Sequence, residues 1–583
     1  MLMRTFNRPF LAKRLSAVAC IPLLMGLATT PASALTLELE TQTQPPAANP
    51  AAPEPAFQLP ALDQVLRTPA AYGSTGARFR VAEVVVGRTK LLTKAEIARY
   101  TAPFINAEVT LADINALRDE LTDAVVAKGY INSGAVIDAT NLRDGVLSIT
   151  IVEGRLRRIK VNLCDKTGHC RARGGYLKPD YISQRLAAGG TDQPLKADQL
   201  QQAFQLLLED HNLSHLNARL VPGAAPGDAE LDVDASEEPR QSVTAVIASD
   251  RSPAVGDTRA GIGGNFAPEL IAGDQVTSQI GRTEGLTDGA LSYKAPLTAN
   301  NLDLLLYAQG SSAKILSRPL NALDAVSRSV YFGGGLSYPL IALPGRSLVL
   351  SSNIDLMHVE TSLLNQAYSF SPGAVNGVTQ YVASRTNLTY TYFSNVSSYV
   401  LNLGITGGLH GDRNATGVDT HFVYADLSGS FITRLNNLNH RLILKADARL
   451  TGSRLYATES FVIGGSESVR GYRQNALIGD SGYWASVEYQ IPLVSVLPPM
   501  DTINPMFSSQ SVTLGGFFDA GHVTGAINIP GAGHDLAAIG LHTIWTPTTH
   551  FDLDMYLAHQ MDPTPYSGSY QDSGFGFAAH MKY

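Results

Sequence analysis

Residues 464–491 read GGSESVRGYRQNALIGDSGYWASVEYQI, and two patterns in that stretch decide the fold. It opens as a glycine-bounded loop whose first arginine, Arg470, is followed at once by Gly471. It closes in strict alternation: Tyr483, Ala485, Val487, Tyr489 and Ile491 take one face, while Trp484, Ser486, Glu488 and Gln490 take the other. A side-chain period of two is the mark of a β-strand. Residues 511–521, SVTLGGFFDAG, repeat it, with Val512, Leu514, Phe518 and Ala520 opposite Ser511, Thr513, Gly515 and Asp519. Asp519 therefore shares the polar face; in a membrane barrel that face looks into the lumen, where a folded-in loop could bring a guanidinium to a carboxylate.

The same alternation runs through residues 242–583. Leu442, Leu444, Ala446, Ala448 and Leu450 oppose Arg441, Lys445, Asp447 and Arg449. Phe551, Leu553, Met555 and Leu557 oppose Asp552, Asp554 and Tyr556. Phe575, Phe577, Ala579, Met581 and Tyr583 oppose His580 and Lys582. Charges on one face and apolar groups on the other suit a lipid-embedded barrel with a wet lumen, because a cation on the lipid side costs about 2–4 kcal/mol at mid-bilayer. A soluble sandwich gives the same alternation with the faces inverted. The aromatic C-terminal run and an export signal favour the membrane barrel. The length fits roughly 14 to 18 strands.

That signal is read at residues 1–34: Arg4, Arg8, Lys13 and Arg14 form a basic region, Leu15 to Leu27 an apolar one, and Ala32-Ser33-Ala34 a cleavage site. Cys20 lies too close to Arg14 to be a lipoprotein site. Removing this segment leaves 40 Lys and Arg against 51 Asp and Glu, a net charge of −11, which argues against a nucleic-acid partner. No further stretch approaches the roughly 18 apolar residues of a membrane helix, so a membrane role must use strands in a closed barrel. Residues 35–77 are rich in Pro, Ala and Gln and read as a tether, with LPALDQVL at 59–66 as a candidate short helix.

Residues 78–155 show the order β-α-α-β-β. Phe79 to Val86 form a strand, Thr93 to Glu96 a capping box, and Leu111, Ile114, Leu117, Leu121 and Val125 a helical stripe ending before Gly129. Residues 156–236 repeat the plan, a tandem α+β pair. The second copy carries Cys164 and Cys170 in CDKTGHC. An exported chain with so short a loop reads as a disulfide, while a metal site with His169 leaves zinc one ligand short. His211 and His215 lack a third ligand at matching spacing. GGSES is not a G-x-S-x-G elbow, and H-E-x-x-H, C-x-x-C and Walker-type loops are absent, so neither an enzyme nor a cofactor is expected.

Val469-Arg470-Gly471-Tyr472 resembles the VRGY motif of the two-partner-secretion translocators of the FhaC/ShlB type, and Phe517-Phe518-Asp519-Ala520-Gly521 resembles that family's F-x-D-x-G motif. KGY at 128–130, DGVL at 144–147 and VEGR at 152–155 resemble its POTRA signatures. The resemblance implies a 16-stranded transmembrane β-barrel behind two periplasmic α+β POTRA domains, with the VRGY loop folded into the barrel and Arg470 paired with Asp519 of the partner motif Phe517, Asp519 and Gly521. Phe575, Phe577 and Tyr583 resemble the C-terminal signal of outer-membrane barrels. Family members carry an N-terminal plug helix, yet no long amphipathic helix precedes this linker.

The implied function is transport across the Gram-negative outer membrane of a large secreted exoprotein, whose N-terminal secretion domain the POTRA domains recognise. The sheet edges Phe79 to Val86 and Leu156 to Leu163 are candidate docking strands. Outer-membrane lipid and the barrel-assembly machinery, for the chain's own insertion, are the other implied partners. The alternative is a barrel-assembly factor, though such machines usually carry more than two POTRA repeats. A plain diffusion pore leaves the two repeats without a task.

Overall fold

A computed structural model describes residues 57–58, 78–138, 144–164, 170–171, 177–188, 194–208, 210, 212–318, 320–435, 438–495, 511–525, 533–564 and 568–583. The expected signal segment, the candidate helix at 59–66 and the rest of the linker apart from 57–58 lie outside these residues. The chain divides into two compact units between Arg240 and Gln241.

The C-terminal unit is a closed barrel of sixteen antiparallel strands, each paired with its neighbour in sequence, from Gln241–Ala248 to Phe575–Lys582. It begins at Gln241, one residue before the expected start. The last strand closes on the first through Lys582↔Thr244 to Ala578↔Ala248, with Val243 and Tyr583 exchanging two main-chain bonds at 2.8 Å. Closure follows from the solvent: lipid offers no partner to an open sheet edge, so every edge must be paired. Leu450 is 72% and Leu541 69% exposed on the outside, as are Ile262, Ile280, Phe332, Leu356, Leu403 and Leu427. Arg259, Asp355, Glu488 and Asp519 are buried on the inside. The faces are thus those of a membrane barrel and not of a sandwich. Tyr390, Tyr392, Tyr399 and Phe431 cluster at one end of the wall, with Arg346 over the Tyr390 ring, an aromatic group of the kind that marks a membrane–water boundary.

In the N-terminal unit, the expected strand Phe79 to Val86 is two strands. Arg78–Val81 pairs antiparallel with Ala107–Thr110, a short strand between the helices that periodicity did not reveal. Glu83–Val86 pairs parallel with Val146–Val152, which pairs in turn with Gly134–Asp138. The chain changes sheets at Ala82, whose N–H donates to Gly145 O. Helices Lys94–Thr101 and Leu111–Val126 each start with a capping box, Thr93 with Glu96 and Thr110 with Asp113. Lys128 Nζ and the Thr93 N–H and hydroxyl hold the Glu96 carboxyl down to about 2. Glu96 therefore supports this helix start at every pH above the usual carboxylate range, and loses that role only as pH falls toward about 2.

The second repeat orders its sheet as Phe57–Gln58, Leu213–Pro222, Asp228–Glu237, Arg155–Cys164 and Cys170–Arg171, with helices Pro179–Ala187 and Ala197–Leu208. Part of the expected tether is thus a strand, parallel to Leu213–Pro222 at Ala218 and Arg219. Cys164 and Cys170 are disulfide-bonded across a strand pair. The repeats meet through Asn132 Nδ2 on Gly227 O at 2.8 Å, Leu195 N on Gly154 O and Ala197 N on Gly129 O, both at 2.9 Å. Both KGY and VEGR sit at this joint. Leu117 lies fully buried among Ile114, Leu121, Leu147 and Ile149. Leu117→Ala is expected to lower the stability of the first repeat by about 2–5 kcal/mol and leave the barrel intact. Limited proteolysis of the purified protein across a urea series, read for cuts within residues 78–155, measures it.

Candidate functional site

Residues 452–480 join the strands Arg441–Thr451 and Ser481–Pro492. They form a single 3₁₀ turn at Ala457–Glu459 and a short ribbon in which Phe461–Ile463 pairs with Leu477–Gly479. Gly464 and Gly465, at φ of 108° and 99°, turn the chain at its tip, and Gly465 N donates to Val469 O. The tip docks on the inner wall: Val469 and Tyr472 are buried with Phe517, Leu536, Ala538, Tyr556 and Ala558.

At this dock the structure brings Arg470 to Asp519. Nε donates to Oδ2 at 2.8 Å and Nη2 to Oδ1 at 2.9 Å, a bidentate fork, and the Arg470 main-chain N–H adds a third bond to Oδ2 at 3.0 Å. Nη1 reaches Glu488 Oε2 at 2.5 Å and Nη2 reaches Ser486 Oγ at 3.1 Å. The guanidinium carbon lies 3.5 Å from the centre of the Phe517 ring. Arg470 is 9% exposed and Asp519 is completely buried. Strand register explains the grouping: Ser486 pairs with Asp519 and Glu488 with Phe517, all facing in, while Val487 and Phe518 pair facing out.

Glu488 and Ser486 were visible on the right face but not as partners of Arg470. Glu488 Oε1 also meets Gln490 Nε2 at 2.7 Å and His542 Nδ1 at 2.6 Å, and His542 Nε2 lies 2.7 Å from Asp554. The neighbours of Arg470 act as further pins. Tyr472 OH donates to Ala537 O at 2.8 Å, Gln560 Nε2 to Gly471 O at 2.5 Å, and Arg473 forks onto Asp572 at 2.5 and 2.7 Å. Gly471 sits at φ 91°, and a Cβ there would lie 2.7 Å from Ala558 Cβ. Gly521 lies apart from the arginine, against Trp484. Phe575 and Phe577 stack on each other on the closing strand, and the Cys164–Cys170 bond belongs to the other unit. Every charge in the cluster is taken up by another, an arrangement that holds a loop in place.

Arg470→Ala leaves the fully buried Asp519 without its guanidinium and takes one partner from Glu488, and the loop is expected to lose about 3–5 kcal/mol of docking energy. The barrel ladder does not involve that side chain, so the purified variant should keep the heat-dependent gel mobility of a folded barrel while proteases cut within 452–480. Gly471→Ala should do the same through strain at a positive φ. Resistance equal to that of the parent protein would contradict this account of the dock.

Residues 79–154 match the ShlB-type POTRA domain, and residues 377–542 match the haemolysin secretion/activation protein family ShlB/FhaC/HecB. An outer membrane transporter CdiB of Escherichia coli strain 536 is 38% identical over 96 residues, 16% of this chain and 16% of that protein's length. The heme/hemopexin transporter protein HuxB of Haemophilus influenzae is 22% identical over 454 residues, 73% of this chain and 72% of HuxB. The solved structure of CdiB from Escherichia coli shares the fold across all of both chains, at a TM-score of 0.62 and 18% identity. With one segment matching the ShlB-type POTRA domain, a second, spanning the inward loop and Asp519, matching the ShlB/FhaC/HecB family, and a fold shared end to end with CdiB, the chain is similar to the POTRA-barrel proteins of the ShlB/FhaC type.

Proposed function

We propose that this protein is an outer-membrane translocator of two-partner secretion. In this reading it carries a large partner exoprotein from the periplasm to the cell surface through its barrel, and its POTRA domains recognise the exoprotein's N-terminal secretion domain. The observation that carries the reading is the loop 452–480, docked on the inner wall by the buried Arg470–Asp519 fork. A loop held by ions inside a pore is a removable obstruction. The names of the CdiB and HuxB relatives, both transporters, support the same reading.

Residues 1–34 would direct export, and residues 78–155 and 156–236 would lie in the periplasm, whose oxidising chemistry suits the Cys164–Cys170 bond. An extended cargo segment would add to a sheet edge, main-chain bonds giving affinity and side-chain pockets selectivity. Two edges suit this role. Glu83–Val86 has a strand partner on one side alone among the described residues. Arg155–Cys164 has Asp228–Glu237 on one side, and on the other, among the described residues, a partner only at Leu163 and Cys164. The barrel-assembly machinery would insert the chain, reading its aromatic last strand.

Deleting the gene in its own host and comparing culture supernatant and outer membrane with the parent strain tests the proposal. Loss of one large supernatant protein, with other barrels unchanged, is the expected result and identifies the cargo. Broad depletion of outer-membrane barrels would replace this reading with an assembly factor, and no change in either fraction would leave a diffusion pore. In the complemented strain, Arg470→Ala is expected to cut secretion of that cargo while the barrel remains folded in the membrane.

A further inference from the structure

The inward loop carries a second buried charge, of opposite sign to Arg470, near its other end. Glu459 closes the 3₁₀ turn and is 4% exposed. Its Oε1 accepts from Tyr381 OH at 2.6 Å and from Arg385 Nη2 at 2.5 Å, and its Oε2 accepts from Tyr424 OH at 2.5 Å. Arg385 continues to Asp355 through Nε and to Tyr424 OH through Nη1, each at 2.5 Å, and Tyr307 OH donates to the other oxygen of Asp355. Arg449, forked on Asp426, donates to the main-chain oxygen of Glu459. Loop residue Tyr456 stacks on Tyr381 at 4.5 Å between ring centres.

The two docks use different parts of the wall. Glu459 is held from the strands Arg346–Leu363, Val378–Phe393, Val423–Arg434 and Arg441–Thr451, counting Asp355 behind Arg385. Arg470 is held from Ser481–Pro492 and Val512–Thr524, and its neighbours reach Asp535–Thr548, Phe551–Gln560 and Asp572. In the closed strand order these are adjoining, non-overlapping arcs. The loop gives an anion to one arc and a cation to the other.

We propose that Glu459 is a second anchor of the inward loop, a positioning residue that acts through Arg385, Tyr381 and Tyr424, and that the lumen opens only when both the Glu459 and the Arg470 docks have parted. The proposal deepens the translocator reading and rests on it for its biological meaning. A glutamate that merely braces the wall would stabilise the barrel without governing passage. An anchor sets the fraction of time the pore conducts.

The test uses the purified full-length protein in planar lipid bilayers, with gel mobility before and after heating as the measure of barrel folding. Glu459→Gln keeps the side-chain volume and removes the charge. It is expected to raise the conducting fraction about tenfold, as Arg470→Ala does, with the barrel folded. Combining the two is expected to raise it further, and pairing Glu459→Arg with Arg385→Glu to bring it back toward the parent value. Tyr381→Phe, which removes one bond to the same carboxylate, gives the readout should Glu459→Gln fail to fold, with a smaller rise expected. Parent-level conductance in folded Glu459→Gln and Tyr381→Phe, alongside a rise in Arg470→Ala, would overturn the second anchor. So would a charge swap that conducts no less than Glu459→Arg alone. The gene-deletion experiment fails separately: an unchanged supernatant would remove the translocator reading and leave the conductance result standing.

Discussion

Lipid cannot hydrogen-bond a peptide group, and the rest of this structure depends on that constraint. It forces sixteen strands to close, and with strict alternation closure sends one face of every strand to the membrane and the other to the lumen. The lumen wall therefore collects the groups that lipid rejects. Asp355, Arg385, Asp426, Arg449, Glu488 and Asp519 are all inward-facing strand residues, and each is bonded to another group inside the barrel. A loop that enters such a space is met by charge, and it is held by charge.

What the sequence revealed and what it hid follow one physical distinction. Alternation reports the face on which a residue lies, so the inward position of Asp519 and Glu488 was legible, and the glycine-bounded Arg470 marked the loop. Alternation does not report height along the barrel. The meeting of Arg470 with both carboxylates depends on Ser486 lying opposite Asp519 and Glu488 opposite Phe517, and that register is set by the turns and by the whole closed ladder. Glu459 was illegible for a related reason: it sits in a single turn between strands, where no period exists to assign it a direction. In the N-terminal unit the apolar run Phe79 to Val86 looked continuous because a break at Ala82 changes the partner sheet without disturbing the apolar pattern.

The choice of ions over apolar groups for the docks has a physical sense. Apolar residues of equal volume often hold buried sites as well as ion pairs or better, by about 1–4 kcal/mol. An apolar plug that leaves its site exposes a greasy surface to the water of the pore. A guanidinium or carboxylate that leaves is hydrated at once, and so are the groups it abandons. Firm seating and an accessible unseated state are compatible only for polar anchors, and here each seat is made firm by several bonds: four side-chain bonds on Arg470 and three on the Glu459 carboxylate.

The seam between Gln241–Ala248 and Phe575–Lys582 governs the order of assembly. Thr244 finds its strand partner at Lys582, so the pairing that seals the sheet joins the two ends of the barrel sequence. Hairpins between neighbouring strands need only short loops to close, but the seal carries the largest loop-closure entropy of the barrel and comes within reach only after the final strand has been made. Until that moment two bare edges persist, each able to pair with any extended chain it encounters. The period between synthesis and sealing is therefore the interval of greatest hazard, when either edge can be occupied by the wrong strand.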